Sequence, residues 1–243
     1  MRTERCLLVM AIVLGSLAAP ALAQTVAEGQ WINLFDKETT FGWLQFGDAQ
    51  WAVDNGALVA KQGTGGWLVT TTQFADFEVA AKIKVTNEGS MTFAVRAPLD
   101  GHPSESGAGA LTIPAGDSVW HDITVKAVGA EVNATLDGKP VDGFAAGAKR
   151  GHIGISFDRY HGDKGKGPEI SVSEVKLRPI NLTPLFNGND LTGWNIIPDH
   201  ASVFSVVDGS MNIKNGNGQI ETAGTFRDFV LQLDIMANGT LEK

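Results

Sequence analysis

Three things are scarce in this chain: cysteine, clustered positive charge and long apolar runs. One Cys in 243 residues, at position 6, excludes a disulfide framework and a thiolate metal site. Lys and Arg number 19 against 27 Asp and Glu, a net charge of −8. No basic stripe is present, which excludes the electrostatic footprint of a nucleic-acid binder. Past the first 23 residues, no apolar run reaches the ~18–20 residues of a membrane span. Helical periodicity is absent as well, and 29 Gly are too many for a helix bundle or coiled coil. What is present is core material: 43% hydrophobic residues, with 12 Phe and 6 Trp. That composition folds rather than staying disordered. At roughly 100–200 residues per domain, the length allows one domain or two.

Residues 1–23 read as an address. Arg2 and Arg5 form a positive start, Leu7 to Leu17 is almost wholly apolar, and Ala21-Leu22-Ala23 is a small-x-small cleavage site before Gln24. This is the pattern of a secretory signal peptide. Its removal leaves 220 residues without cysteine, so the expected location is the periplasm or the exterior.

Comparing the chain with itself reveals a repeat. Leu34-Phe35 with Gly42-Trp43 recurs as Leu185-Phe186 with Gly193-Trp194, an offset of 151. Asp54-Asn55-Gly56, Leu58 and Lys61 recur as Asp208-Gly209, Met211 and Lys214, 153 apart at the glycines. Phe74-Ala75-Asp76-Phe77 recurs as Phe226-Arg227-Asp228-Phe229, an offset of 152. The expected organisation is therefore a domain over 24–180, then 181–243 as the first part of a second copy, truncated near the counterpart of Met91. The boundary falls at Arg178-Pro179-Ile180-Asn181, where Pro ends a strand.

Period-two alternation dominates both parts. Phe77, Val79, Ala81, Ile83 and Val85 share one face, with Glu78, Lys82 and Lys84 on the other. Met91-Phe93-Val95, Ile123-Val125-Ala127 and Val132-Ala134-Leu136 alternate likewise, and Asp137-Gly138 is a hairpin turn. In the tail, strands are expected at Val203–Val207, Ser210–Lys214, Gln219–Thr222 and Phe229–Met236. Many short strands with Gly turns give an all-β antiparallel sandwich. Two long loops, Ala97 to Gly109 and Arg159 to Pro168, interrupt it, and loops of this length are usually functional or disordered.

The decapeptide Leu185-Phe186-Asn187-Gly188-Asn189-Asp190-Leu191-Thr192-Gly193-Trp194 resembles the opening signature of the 3-keto-disaccharide hydrolase family. Weaker matches are Leu34-Phe35-Asp36 to Gly42-Trp43, Trp51 to Gly56, Phe74 to Glu78, Trp120-His121, Leu136-Asp137-Gly138 and Gly151 to Ile155. The resemblance implies a concanavalin or laminarin-G-like β-sandwich, export, and hydrolysis of glycosides bearing a 3-keto sugar. Oligo- or polysaccharide is then the partner, with no nucleic acid and no membrane span. Two departures stand out. The family's Asn-Ser-Gly block reads Glu88-Gly89-Ser90 here, with Arg96 kept. Its acid- and amide-bearing strand reads Gly107 to Pro114, without acid, base or amide. A non-catalytic sugar-binding sandwich is the alternative for the first copy.

The candidate sugar contacts are Arg96, Trp120, His121, Asp158, Arg159, Tyr160 and His161. Arg96 lies opposite Met91, Phe93 and Val95 and is either a bidentate sugar contact or a solvated strand residue. Trp120-His121 is either a stacking platform with an acid–base imidazole or a core Trp beside an exposed His. Asp158, Arg159, Tyr160, His161 and Asp163 form one polar loop. Its two carboxylates, Asp158 and Asp163, with a His could ligate a divalent cation such as Ca²⁺, which prefers six to eight oxygens; otherwise no cofactor is expected. Glu78, Glu105, Asp158 and Asp163 are the carboxylates available for glycoside hydrolysis, and no catalytic pair is assigned. If the leader reading is right, N-terminal sequencing of the exported protein begins at Gln24; an intact Met1 in that fraction overturns it.

Overall fold

The computed structural model describes residues 28–61, 63, 65–86, 90–99, 108–114, 118–158, 169–227 and 229–237, with the backbone alone for Pro114 and Asp158. Its strands, in chain order, are β1 (Ile32–Asn33), β2 (Trp43–Gly47), β3 (Trp51–Asp54), β4 (Ala57–Ala60), β5 (Gly65–Thr70) and β6 (Phe77–Thr86). Then come β7 (Ser90–Ala97), β8 (Gly109–Pro114), β9 (His121–Val128), β10 (Glu131–Leu136), β11 (Lys139–Pro140), β12 (His152–Asp158) and β13 (Glu169–Pro179). The tail adds β14 (Trp194–Ile196), β15 (Val203–Val207), β16 (Ser210–Lys214) and β17 (Ile220–Thr222).

All pairings between these strands are antiparallel. One sheet runs β11-β10-β9-β6-β13-β4-β3, with β1 also on β13; the other runs β2-β5-β12-β7-β8. The pattern of β6 explains its central place. Its odd positions Phe77, Val79, Ala81, Ile83 and Val85 are buried, as the alternation requires. β13 crosses it over ten paired positions, from Glu169↔Thr86 to Pro179↔Phe77. The inner faces of the two sheets meet in one core that includes Leu58, Phe77, Ile83, Phe93, Ile155 and Phe157. Each large side chain so buried stabilises the fold by about 1.5–3 kcal/mol. The all-β antiparallel expectation holds.

The tail forms two separate ribbons, β14 with β17 and β15 with β16. Val203–Val207 and Ser210–Lys214 are strands as expected. The expected strand over Phe229–Met236 is not formed: 229–237 is irregular, because no neighbouring strand accepts its backbone bonds. Local geometry in the tail matches the start of the sandwich bond for bond. The Trp43 indole N–H donates to the Leu34 carbonyl at 2.7 Å, and that of Trp194 to Leu185 at 3.0 Å. Asp36 Oδ1 accepts the amides of Glu38 and Thr39, and Asn187 Oδ1 those of Asn189 and Asp190. Thr71 N donates to Gly42 O and Ala223 N to Gly193 O, both at 2.8 Å. The hairpin turns Asn55-Gly56 and Asp208-Gly209 share φ values of 49° and 74°, the positive angles a two-residue turn demands.

On the outer face of the five-stranded sheet, Trp67 is buried with Val69, Ala94 and Ala97. Gly154 makes room for it: a Cβ there would lie 2.2 Å from the Trp67 ring. Gly154→Ala is therefore expected to destabilise the domain by about 1–3 kcal/mol through overpacking. Gly65→Ala, whose Cβ meets only the Phe157 carbonyl at 3.6 Å, serves as the near-neutral control. Urea unfolding of the two variants checks this.

Candidate functional site

The register sorts the sequence-derived candidates onto two ends of the sandwich. His121 faces Ile83, Glu169 faces Thr86 and Asp158 faces Ser90. The start of β9, the end of β12 and the start of β13 thus share one end. Arg96 lies at the other, between Val95, opposite Gly109, and Ala97, opposite His152.

At the first end, the β10–β11 hairpin folds Asp137 back onto β9. The Asp137 amide donates to the Asp122 carbonyl at 2.8 Å, and the Asp122 amide to Asp137 Oδ1 at 2.9 Å. His121 Nδ1 lies 2.8 Å from Asp137 Oδ2. The His121 bond, helped by the Asp122 amide, holds the Asp137 carboxyl below its usual range. An ionised carboxylate only accepts, so Nδ1 carries the proton and Nε2 is the basic nitrogen of the neutral ring. Trp120, the residue before His121, is 38% exposed. The Lys84 ammonium stands 5.0 Å from its ring centroid, a cation–π distance. Lys82 pairs with Asp122 at 3.5 Å. The plainer expectation, a core Trp beside an exposed His, is reversed. The indole is at the surface because it precedes the strand, while His121 enters β9 on its core-facing side and is half-buried. A partly exposed indole, an ammonium over its ring and a carboxylate-oriented imidazole stand together here. They suit stacking on a sugar ring and proton transfer.

Arg96 is neither a sugar contact nor a solvated residue. It sits at a bulge, where the β12–β7 register shifts, with φ 53°, and it is 2% exposed. Nε and Nη2 donate to the Ala75 carbonyl at 3.0 and 2.7 Å. Nη1 donates to Gly129 O at 2.7 Å and Ala148 O at 3.2 Å, and Nη2 also meets Asp76 Oδ1 at 3.4 Å. All five N–H groups are engaged. Burial disfavours its charged form and the Asp76 carboxylate opposes that. Gly151 admits the bulge, since a Cβ there would lie 2.3 Å from the Arg96 carbonyl carbon.

Asp158 ends β12; its side chain, and Arg159, Tyr160, His161 and Asp163, lie outside the described residues, as do His102 and Glu105. Glu78 is committed to Arg178, whose Nη2 lies 2.6 Å away. His152, inside a resemblance block, is buried with both nitrogens in use: Nδ1 donates to Thr70 O at 2.6 Å and Nε2 accepts from Gln73 at 3.2 Å. Sequence reasoning missed Asp137 as the partner of His121 and Lys84 as the partner of Trp120. The turn at Asp137-Gly138 and the outward parity of Lys84 were the available signals.

The architecture is that of an antiparallel β-sandwich. More narrowly, the chain belongs to the family of 3-keto-alpha-glucoside-1,2-lyase-like domains, whose model matches residues 30–168 and 181–241. Among solved structures it is similar to a "putative glycosyl hydrolase" of Parabacteroides distasonis, at 16% identity and TM-score 0.48 over 64% of this chain and 94% of that one. It is also similar to a Bacillus subtilis protein of unknown function with a galectin-like fold, at 10% identity and TM-score 0.48 over 65% and 100%. A third is the carbohydrate binding module CBM66 from Bacillus subtilis, at 12% identity and TM-score 0.43 over 56% and 94%. No curated protein matches the chain. No described helix is long and apolar enough to cross a membrane.

The Arg96 geometry makes a direct prediction. Arg96→Met leaves the Ala75, Gly129 and Ala148 carbonyls without their donor and is expected to cost about 3–5 kcal/mol in urea unfolding. Arg96→Lys recovers little of it, because an ammonium lacks the planar fork. Wild-type stability in the Met variant would refute the tethering role.

Proposed function

We propose that residues 24–180 form an exported carbohydrate-active domain that acts on glycosides bearing a 3-keto sugar. The observation that carries the reading is the partly exposed Trp120 indole beside the His121–Asp137 pair. A ketone at C3 acidifies the proton at C2, so glycoside cleavage by elimination needs a base at C2 and an acid at the leaving oxygen. His121, its Nδ1 proton held by Asp137, is assigned as the base, and Trp120 as the stacking surface. Family membership supports the substrate class, and the Arg2-to-Ala23 pattern supports export.

A second reading, a sugar-binding sandwich without turnover, is favoured by β8. Its outward positions Ala110 and Thr112 offer no acid, base or amide. We further assign 181–243 as the opening part of a second copy. The repeated Trp43/Trp194 and Asp36/Asn187 bonds support that assignment.

Turnover of a 3-keto glucoside by the chain from Gln24 onward separates the two readings. Under the first, His121→Ala lowers kcat by about 10²–10⁴-fold, and Trp120→Ala acts mainly on KM. Saturable binding without turnover selects the second. Absence of both refutes each.

A further inference from the structure

The chain that leaves the sandwich is bonded through residues 179–181. The Pro179 carbonyl accepts the Gly29 amide at 2.8 Å, the Ile180 amide donates to the Asp76 carbonyl at 2.9 Å, and the Asn181 side chain donates to Asp76 Oδ2 at 2.7 Å. Beside this exit, residues 28–31 form a seat fixed to the sandwich. The Arg178 guanidinium pairs with Glu28 and stands 5.2 Å from the Trp31 ring centroid, and Lys126 lies 3.8 Å from the Glu28 carboxylate. Gln232, from the tail, closes on the seat. Its carboxamide accepts the Gln30 amide at 2.8 Å and donates to the Gln30 carbonyl at 2.9 Å, the paired bonds that a neighbouring strand would make. Val230 packs against the core of the sandwich. Gly29 stands where tail, linker and β13 meet: a Cβ there would lie 2.6 Å from Gln232 Oε1, 2.9 Å from Leu182 Cδ1 and 3.0 Å from Pro179 Cδ.

We propose that this seam is a docking interface between the two copies of the repeat, which it joins into one rigid body rather than two domains on a flexible linker. The face that docks is the outer side of the second copy's counterpart of β6. At the 152-residue offset, Glu78, Ala80 and Lys82 correspond to Val230, Gln232 and Asp234. In the first copy, Glu78 pairs with Arg178 and Lys82 with Asp122, both inside their own sheet. In the second, a valine replaces the glutamate and a glutamine the alanine, and these two meet the sandwich. They are also the half-buried residues of 229–237, the others being exposed. The copies therefore differ at the positions where they touch. The seat is held by Arg178 and Pro179 without help from the tail, so docking does not first have to order it. A linker between independent domains ordinarily carries few such contacts. The proposal rests on the assignment of 181–243 as part of a second copy, and not on the sugar reading.

NMR of the chain from Gln24 onward tests it. The tail ribbons and the sandwich are expected to share one rotational correlation time, and the Gln30 amide to exchange slowly. Gln232→Ala is expected to speed that exchange about 10-fold, the effect of losing one or two exposed hydrogen bonds. Gly29 lies outside the left-handed region, so Gly29→Ala acts through its added methyl and is expected to match Gln232→Ala. The double variant should exchange no faster than either, because both changes break one contact. Val230→Asp is expected to shorten the correlation time of the tail while the Val79 amide, deep in the sandwich, stays protected. Separate tumbling of the wild-type tail overturns the proposal. So do Gln30 exchange indifferent to Gln232→Ala and Gly29→Ala, and additive effects of the two. The copy assignment is read from a different signal: a fast-exchanging Trp194 indole N–H beside a slow Gln30 amide supports docking and strikes that assignment alone. Failure of the sugar assays leaves every one of these readouts where it is.

Discussion

The guanidinium of Arg96 is the joint on which one end of the sandwich depends. It bonds the carbonyls of Ala75, before β6, Gly129, between β9 and β10, and Ala148, before β12. Those are three turns that secondary structure alone leaves without donors. The guanidinium itself is buried, its bonds to these carbonyls are charge-assisted, and one side chain ties three turns together. Asp76 completes the joint by accepting the Gly129 amide at 2.9 Å and the Asn181 side chain at 2.7 Å. The same carboxylate therefore ties the sandwich to the chain that leaves it.

That arrangement divides labour between the ends. The Arg96 end is closed by charge-assisted bonds inside the protein. The opposite end gathers Trp120, His121, Asp137 and Lys84, joined by the His121–Asp137 bond and the Lys84–Trp120 contact. Strand register is what separates them: a strand of eight residues, such as β7 or β9, carries its two ends more than 20 Å apart. A ligand gripped at one end is beyond the reach of the other, so stability and recognition can vary independently.

The strand pattern was legible because it rests on period-two burial, which sequence alternation reports directly. β6, β9 and β10 kept the expected faces, and the Asp137-Gly138 turn adopted its positive φ angles. Arg96 was misread because alternation assumes an unbroken ladder; the bulge at His152–Gly154 shifts the parity, and no local pattern announces it. Trp120 kept a core and a surface alternative because hydrophobicity alone cannot tell an indole just outside a strand from one just inside. Phe229–Met236 has the alternation of β6 and lacks its neighbours. Alternation records which face is apolar, whereas a strand also needs a partner. The pairing of His121 with Asp137, 16 residues on, follows from hairpin closure and was open to inference from the turn.

The indole-to-carbonyl bonds of Trp43 and Trp194 span only nine residues each, and that short reach has a consequence for biosynthesis. Such turns close as soon as their residues are made, whereas β6 waits for β13, whose pairing with it joins residues as far apart as Phe77 and Pro179. At ~5–20 residues per second, roughly 5–20 s separate the completion of β6 from that of β13. During that interval the nascent chain holds its opening turns already shaped and its β6 face bare. Among the described residues, Phe229, Leu231, Leu233 and Ile235, the counterparts of the β6 face, are exposed as well. That interval is when the growing chain is most exposed to wrong partners.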